Sequence, residues 1–154
     1  MYKKVLVPLD GSELAECAVN HVSNLIKEGS AAEAILFHVV KVDIPWVKSD
    51  GEENKKIQID VEKIREKAFS SSRAYLAKVE ARLPGLKVKS EALEANRPGH
   101  AIIEYAQKNG VDAIALATHG HTGMRDMLLG SVAHYVLHNS NVPVLLIRPD
   151  ACKA

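Results

Sequence analysis

Apolar residues recur along this chain in two rhythms, unbroken runs and helical spacing. Val5-Leu6-Val7 is a short run that stops at Pro8-Leu9-Asp10-Gly11-Ser12, the pattern of a buried strand ended by turn residues. From Ser12 the rhythm changes. Leu14, Ala18, Val22 and Leu25 recur at intervals of three or four, flanked by Ala15, Val19 and Ile26, until Gly29 closes the series. That spacing predicts an amphipathic helix capped by Ser12, with Glu13 and Glu16 favourably placed in its first turn. Residues 34–40 form a second buried run, and Lys41 to Lys56 is polar and irregular, with Pro45, Asp50-Gly51 and the only tryptophan, Trp46. It predicts a long loop that Trp46 anchors.

Ile57, Val61, Ile64, Ala68, Tyr75, Val79 and Leu83 return to helical spacing and predict a long amphipathic helix stopped by Pro84-Gly85. Leu86, Val88, Ser90 and Ala92 alternate with Lys87, Lys89 and Glu91. One wet face suggests a strand toward the edge of a sheet. Asn96-Arg97-Pro98-Gly99 leads into a short helix over residues 101–108, ended by Asn109-Gly110. Residues 113–117 are apolar without alternation, which belongs in the middle of a sheet. A helix over residues 131–138 and a last strand over residues 142–147 complete the series. Strands alternating with amphipathic helices predict a parallel sheet covered by helices on both faces, and no internal repeat or domain boundary interrupts it.

Composition narrows the partners. Hydrophobic residues make up 47% and charged residues 25% of 154 residues, the range of an ordinary globular domain, so residues 1–154 are expected to form a single one. Twenty basic against nineteen acidic side chains leave a net charge of +1, which supplies no field for nucleic acid or an anionic membrane. The first apolar run is too short for a signal peptide, and no stretch has the length of a membrane span. Only Cys17 and Cys152 occur, so a reduced cytoplasmic protein is expected, with Cys17 a packed thiol among apolar helix positions.

The candidate chemistry lies where Ala115-Leu116-Ala117 breaks into Thr118-His119-Gly120-His121-Thr122-Gly123, with Gly130-Ser131 following. In a doubly wound sheet ligands sit beyond the carboxyl ends of the strands, where strand order reverses. Glycines admit backbone N–H groups close to phosphate oxygens, and a helix opening at Gly130-Ser131 adds unpaired amides and a dipole. Ser131 then serves a phosphate or caps the helix. The plain alternative is a loop whose glycines only turn the chain. The Walker pattern lacks its lysine before Ser131, and the dinucleotide pattern lacks its glycine pair. His134 and His138 stand a helical turn apart near His119 and His121, but no glutamate follows His134 and no cysteine joins them, so no protein-derived metal site is expected. Ser131, His119 and Asp10 compose a triad only on paper, because no nucleophile elbow surrounds Ser131.

The spacing Ala117-x2-Gly120-x9-Gly130-Ser131, followed by Asn141-Val142-Pro143-Val144, resembles the nucleotide motif of the universal stress protein family. Residues 5–12 resemble that family's opening strand and turn, and His38-Val39 the end of its second strand; the likeness covers essentially the whole chain. It implies a flavodoxin-like, adenine nucleotide alpha hydrolase-like sheet of five parallel strands in the order 3-2-1-4-5. It also implies an adenine nucleotide, ATP in the ATP-binding members, with Mg2+ or Mn2+ often accompanying it. In this chain Asp10, beside Pro8 and Leu9, would meet the ribose, and the backbone of Val39 the adenine edge. Gly120, Gly130, Ser131 and the amide of Val132 would hold the phosphates, with Ala117, Thr118, His119, His121 and Ala133 also among the nucleotide-binding positions. Two positions depart from the family pattern. Ala117 replaces its first glycine, and His121 stands at an often basic position, with Asp126 near and Arg125 the remaining permanent cation. The expected consequence is reduced triphosphate affinity, or affinity that follows pH through His121.

The last strand carries Pro143, which cannot donate to a ladder, yet Val142, Val144, Leu145, Leu146 and Ile147 leave both its faces apolar. An apolar edge needs cover, and a homodimer joined through this strand is expected, as the resemblance also suggests. No general base is poised to activate water, so slow hydrolysis at most is expected, with occupancy signalling to an unnamed protein partner. The competing reading is a nucleotide-free, homodimeric interaction or chaperone-like module. A flavin carrier is disfavoured, because Asp10 to Leu14 is short and acidic where a flavin phosphate needs donors.

Overall fold

The structure is a computed structural model that describes residues 1–44, 53–118 and 129–148, with the backbone alone described over 53–59. Strands β1 (Tyr2–Leu9), β2 (Ala31–Val40), β3 (Val88–Glu94), β4 (Ala113–Ala117) and β5 (Val144–Ile147) alternate with helices α1 (Glu13–Lys27), α2 (Glu53–Glu80), α3 (Pro98–Lys108) and α4 (Ser131–Asn139). Every strand pair is parallel, and the order is β3-β2-β1-β4-β5, as the resemblance implies. The order therefore reverses between β1 and β4.

Parallel strands buried on both faces need apolar side chains in every position, and β4 has them, with all five residues buried. One core lies between the sheet and α1 and α2, where Val5, Val7, Leu36, Val22 and Leu76 meet. The other lies beneath α3 and α4, where Leu6, Phe37, Ile102, Ile114 and Val136 meet. Cys17 is buried in the first core, as expected of its helical position, but it is disulfide-bonded and so is not the free thiol its surroundings suggested. Cys152, the other cysteine of the sequence, lies outside the described residues.

Several boundaries move. Helix α2 begins within the expected loop, because Glu53-Asn54-Lys55-Lys56 continues a helix without adding to its apolar stripe. Helix α3 begins at Pro98, whose fixed φ and missing N–H suit a first helical turn. The edge positions of β3 and β5 and the interior position of β4 agree with the pattern of the sequence. Pro143 stands just before β5, and its carbonyl accepts from the Ile114 amide at 3.0 Å.

Structural pairs occupy the amino end of the sheet. Asp112 accepts from the amides of Lys3 and Lys4 at 2.7 and 2.8 Å. The buried Glu33 carboxylate pairs with Lys87 at 3.0 Å and Lys4 at 3.9 Å, and the Lys87 hydrogen bond holds its pKa below the usual range against the opposing effect of burial. The carboxyl end is built differently.

Candidate functional site

At the carboxyl end of β1 the chain turns at Gly11, whose φ of 86° is one a side chain would strain. The turn holds Asp10 in place: its Oδ1 accepts from the Ser12 amide at 2.9 Å and from the Ser12 hydroxyl at 2.5 Å. The same Ser12 oxygen accepts from the Ala15 amide at 3.1 Å and caps α1, as its position in the sequence predicts. One residue thus starts the helix and fixes the carboxylate at the end of the strand.

Across the reversal, β4 ends at Ala117 and Thr118, both buried. The Thr118 amide donates to the Ile147 carbonyl at 3.0 Å, and the Gly130 amide donates to the Thr118 carbonyl at 2.7 Å. The chain therefore re-enters beside the end of β4 and starts α4 there. Gly130, not Ser131, is the N-cap and has no side chain to cap the helix with, so the capping role open to Ser131 is not the one it takes. The first-turn amides of α4 lie at the positive end of its dipole and beside the residues that line the opening. Gly130 has an extended φ of −65°, which any residue adopts, so its backbone does not explain the glycine.

These elements enclose a cavity of about 720 Å³, within the span of small-molecule sites. Strand β1 contributes Pro8, Leu9 and Asp10, β2 contributes Val39, and β4 and its exit contribute Ala117 and Thr118. Gly130, Ser131, Val132 and Ala133 line it from the start of α4. The structure thus brings together the expected residues it describes. His119, Gly120 and His121, like Arg125, Asp126 and Trp46, lie outside the described residues.

The cavity also reaches residues that sequence reasoning missed. Phe37 and Ile102 add an apolar wall on the α3 side. On the α2 side it reaches His38, Ser72 and Tyr75. His38 Nδ1 and Ser72 Oγ lie 2.6 Å apart, and the rings of His38 and Tyr75 meet edge to face at 5.6 Å. Burial lowers the His38 pKa, and the Asp10 charge opposes it. Burial, followed by the Glu16 and Asp10 carboxylates, raises that of Tyr75, whose buried hydroxyl makes no hydrogen bond of acceptable geometry. The available signal was helical: Ala68, Ser72, Tyr75 and Val79 share a stripe, and its polar members fall opposite His38.

Among the described residues no group of three His, Cys, Asp or Glu side chains could hold a metal, and His134 and His138 instead stack at 4.2 Å. No helix among the described residues is long and apolar enough to cross a membrane.

The profile described as "Universal stress protein family" matches residues 1–148. Universal stress protein MJ0531 of Methanocaldococcus jannaschii is 35% identical over 150 residues, 96% of this chain and 83% of that one. The solved structure of MJ0577, from the same organism, superposes with a TM-score of 0.76 at 33% identity and 96% coverage of both chains. An Arabidopsis thaliana family protein with AMP bound superposes with a TM-score of 0.63 over 95% of this chain and 91% of its own; at 13% identity that likeness is one of fold.

Proposed function

The chain belongs to the universal stress protein family, and from that premise we propose that it is a cytoplasmic, single-domain stress-response protein. It binds an adenine nucleotide, ATP with Mg2+ or Mn2+, across the carboxyl ends of β1 and β4. Adenine would lie beside Val39, the ribose beside Asp10, and the phosphates at Gly130, Ser131 and the α4 amides, with Gly120 contributing from the preceding loop. The observation that carries this reading is the convergence of Asp10, Val39 and the amino-terminal end of α4 on one cavity. The relative with AMP bound is consistent with that ligand class. Occupancy would signal to a protein partner, with slow hydrolysis at most, and the protein would act as a homodimer through β5.

A nucleotide-free interaction module is the second reading, and Ala117 favours it. This residue lines the cavity where the family motif has glycine. Releasing the ligand from freshly purified protein, and titrating ATP into stripped protein, separates the two. Adenine nucleotide in the extract, or saturable ATP binding, supports the first reading; an empty and unresponsive protein supports the second. Gly130→Val is expected to abolish ATP binding and leave the dimer assembled, because the extended backbone accepts the substitution while the side chain fills the approach to the amides. Unchanged affinity in that variant sinks the cradle.

The cytoplasmic setting stands against the disulfide at Cys17, since such bonds are rare there. Counting thiols in protein alkylated as cells are lysed decides the matter. With denaturant present during alkylation, so that the buried Cys17 is reached, two free thiols per chain are expected in a reducing compartment.

A further inference from the structure

Helix α4 turns Ala133 and Val136 into the core and leaves His134 and His138 exposed on its other side. The two imidazoles, one helical turn apart, lie over each other with ring centroids 4.2 Å apart and planes 27° from parallel. His138 Nδ1 stands 2.9 Å from the His134 carbonyl oxygen. A carbonyl only accepts, so Nδ1 carries a proton and the lone pair of the neutral ring lies on Nε2. A ring nitrogen donating to a backbone carbonyl is the arrangement found behind metal-ligating histidines, where it fixes the tautomer and orients the ring. The His134 ring makes no hydrogen bond with a described residue, so none of them holds its nitrogens away from that lone pair.

We propose that His134 and His138 form a bidentate site for a divalent late first-row transition metal, Ni2+, Cu2+ or Zn2+, on the outer face of α4. Bonds of about 2.0–2.1 Å place two nitrogens of one such ion about 3 Å apart. The 4.2 Å stack is already near that separation, and a turn of the His134 ring completes the convergence on His138 Nε2. Two imidazole nitrogens select borderline metals over Mg2+ and Ca2+, which take oxygen donors. Among the described residues no third His, Cys, Asp or Glu joins the pair, so water fills the remaining positions of the ion. The pair is separate from the cavity, whose lining includes neither histidine, and its affinity for metal does not depend on a nucleotide.

The test is calorimetric titration of chelator-stripped protein with Ni2+, above neutral pH because the ligand nitrogens must be deprotonated, in wild type, His134→Gln and His138→Gln. Gln keeps a polar side chain at an exposed position, so circular dichroism should show the helices intact in both variants. Wild-type protein is expected to show a saturable site that each substitution weakens at least about tenfold, because one arm of a chelate is lost. Excess Mg2+ should not displace the ion. Paramagnetic Ni2+ should also broaden the ring proton signals of both histidines in the wild-type NMR spectrum. A wild type that takes up no Ni2+, uptake undiminished in either variant, sharp ring signals for either histidine, or displacement by Mg2+ overturns the pair as a metal site.

Discussion

His38 stands half-buried at the carboxyl end of β2, where loss of hydration disfavours its protonated form more than the Asp10 charge favours it. Its folded pKa therefore lies below the ordinary value near 6.5 that the unfolded chain retains. As pH falls through 6.5 toward the folded value, the unfolded state takes up the proton first, and stability drops. The stability His38 contributes is complete above that window and lost across it. Replacing His38 with Gln keeps a polar side chain and removes the titration. The unfolding midpoint of the wild type is expected to fall between about pH 7.5 and about pH 5.5, and by less in His38→Gln. Equal falls in the two proteins would show that His38 does not carry this dependence.

Helices α3 and α4 meet where Gly99 lies against Tyr135. A Cβ at Gly99 would sit 2.6 Å from Tyr135 Cδ1 and 3.1 Å from its Cβ, too close to relieve by moving only the end of the ring. Tyr135 is also held by His100, through a 2.9 Å hydrogen bond and a ring contact at 4.3 Å. Gly99→Ala is therefore expected to destabilise the protein by about 1–3 kcal/mol in urea unfolding. In the Tyr135→Ala background the cost should shrink, and additive costs would mean that the two side chains do not collide. This contact explains a limit of the sequence reading. Asn96-Arg97-Pro98-Gly99 looked like a turn leading into a helix, whereas Gly99 is a helical residue without a side chain because another helix occupies the space. Unbroken apolar runs and helical stripes revealed element order, because burial on two faces or one leaves those rhythms directly. Helix starts such as Glu53 and Pro98 left none, being polar or turn-like in composition. The site divided the same way. Asp10 and Gly130-Ser131 stood out beside strand ends, while Tyr75 looked like a member of a core stripe and Ser72 stood outside every pattern, since only β2 packing against α2 places His38 opposite them.

For the whole molecule the decisive surface is the β5 edge. In a parallel ladder the N–H and C=O of one residue point to the same side, alternating along the strand. The carbonyls of Pro143 and Ile147 accept from Ile114 and Thr118, so Leu145 also faces β4, and the backbone groups of Val144 and Leu146 face outward. The side chains of Val144, Leu145 and Leu146 are only half-buried in the single chain. Among the described residues no strand pairs with this side of β5; such an edge is a template for another strand, and a second copy related by a two-fold axis would satisfy both amides and side chains. Val144→Pro removes one outward donor, keeps an apolar side chain and spares the groups that bind β4. Sedimentation at micromolar concentration should show a wild-type dimer and a Val144→Pro dimer weakened at least about tenfold, the loss of one well-placed hydrogen bond together with a misfit backbone. Far-ultraviolet circular dichroism should be unchanged, because the pairing of β5 with β4 survives. A monomeric wild type, or a variant dimer of undiminished affinity, would remove β5 as the joining edge.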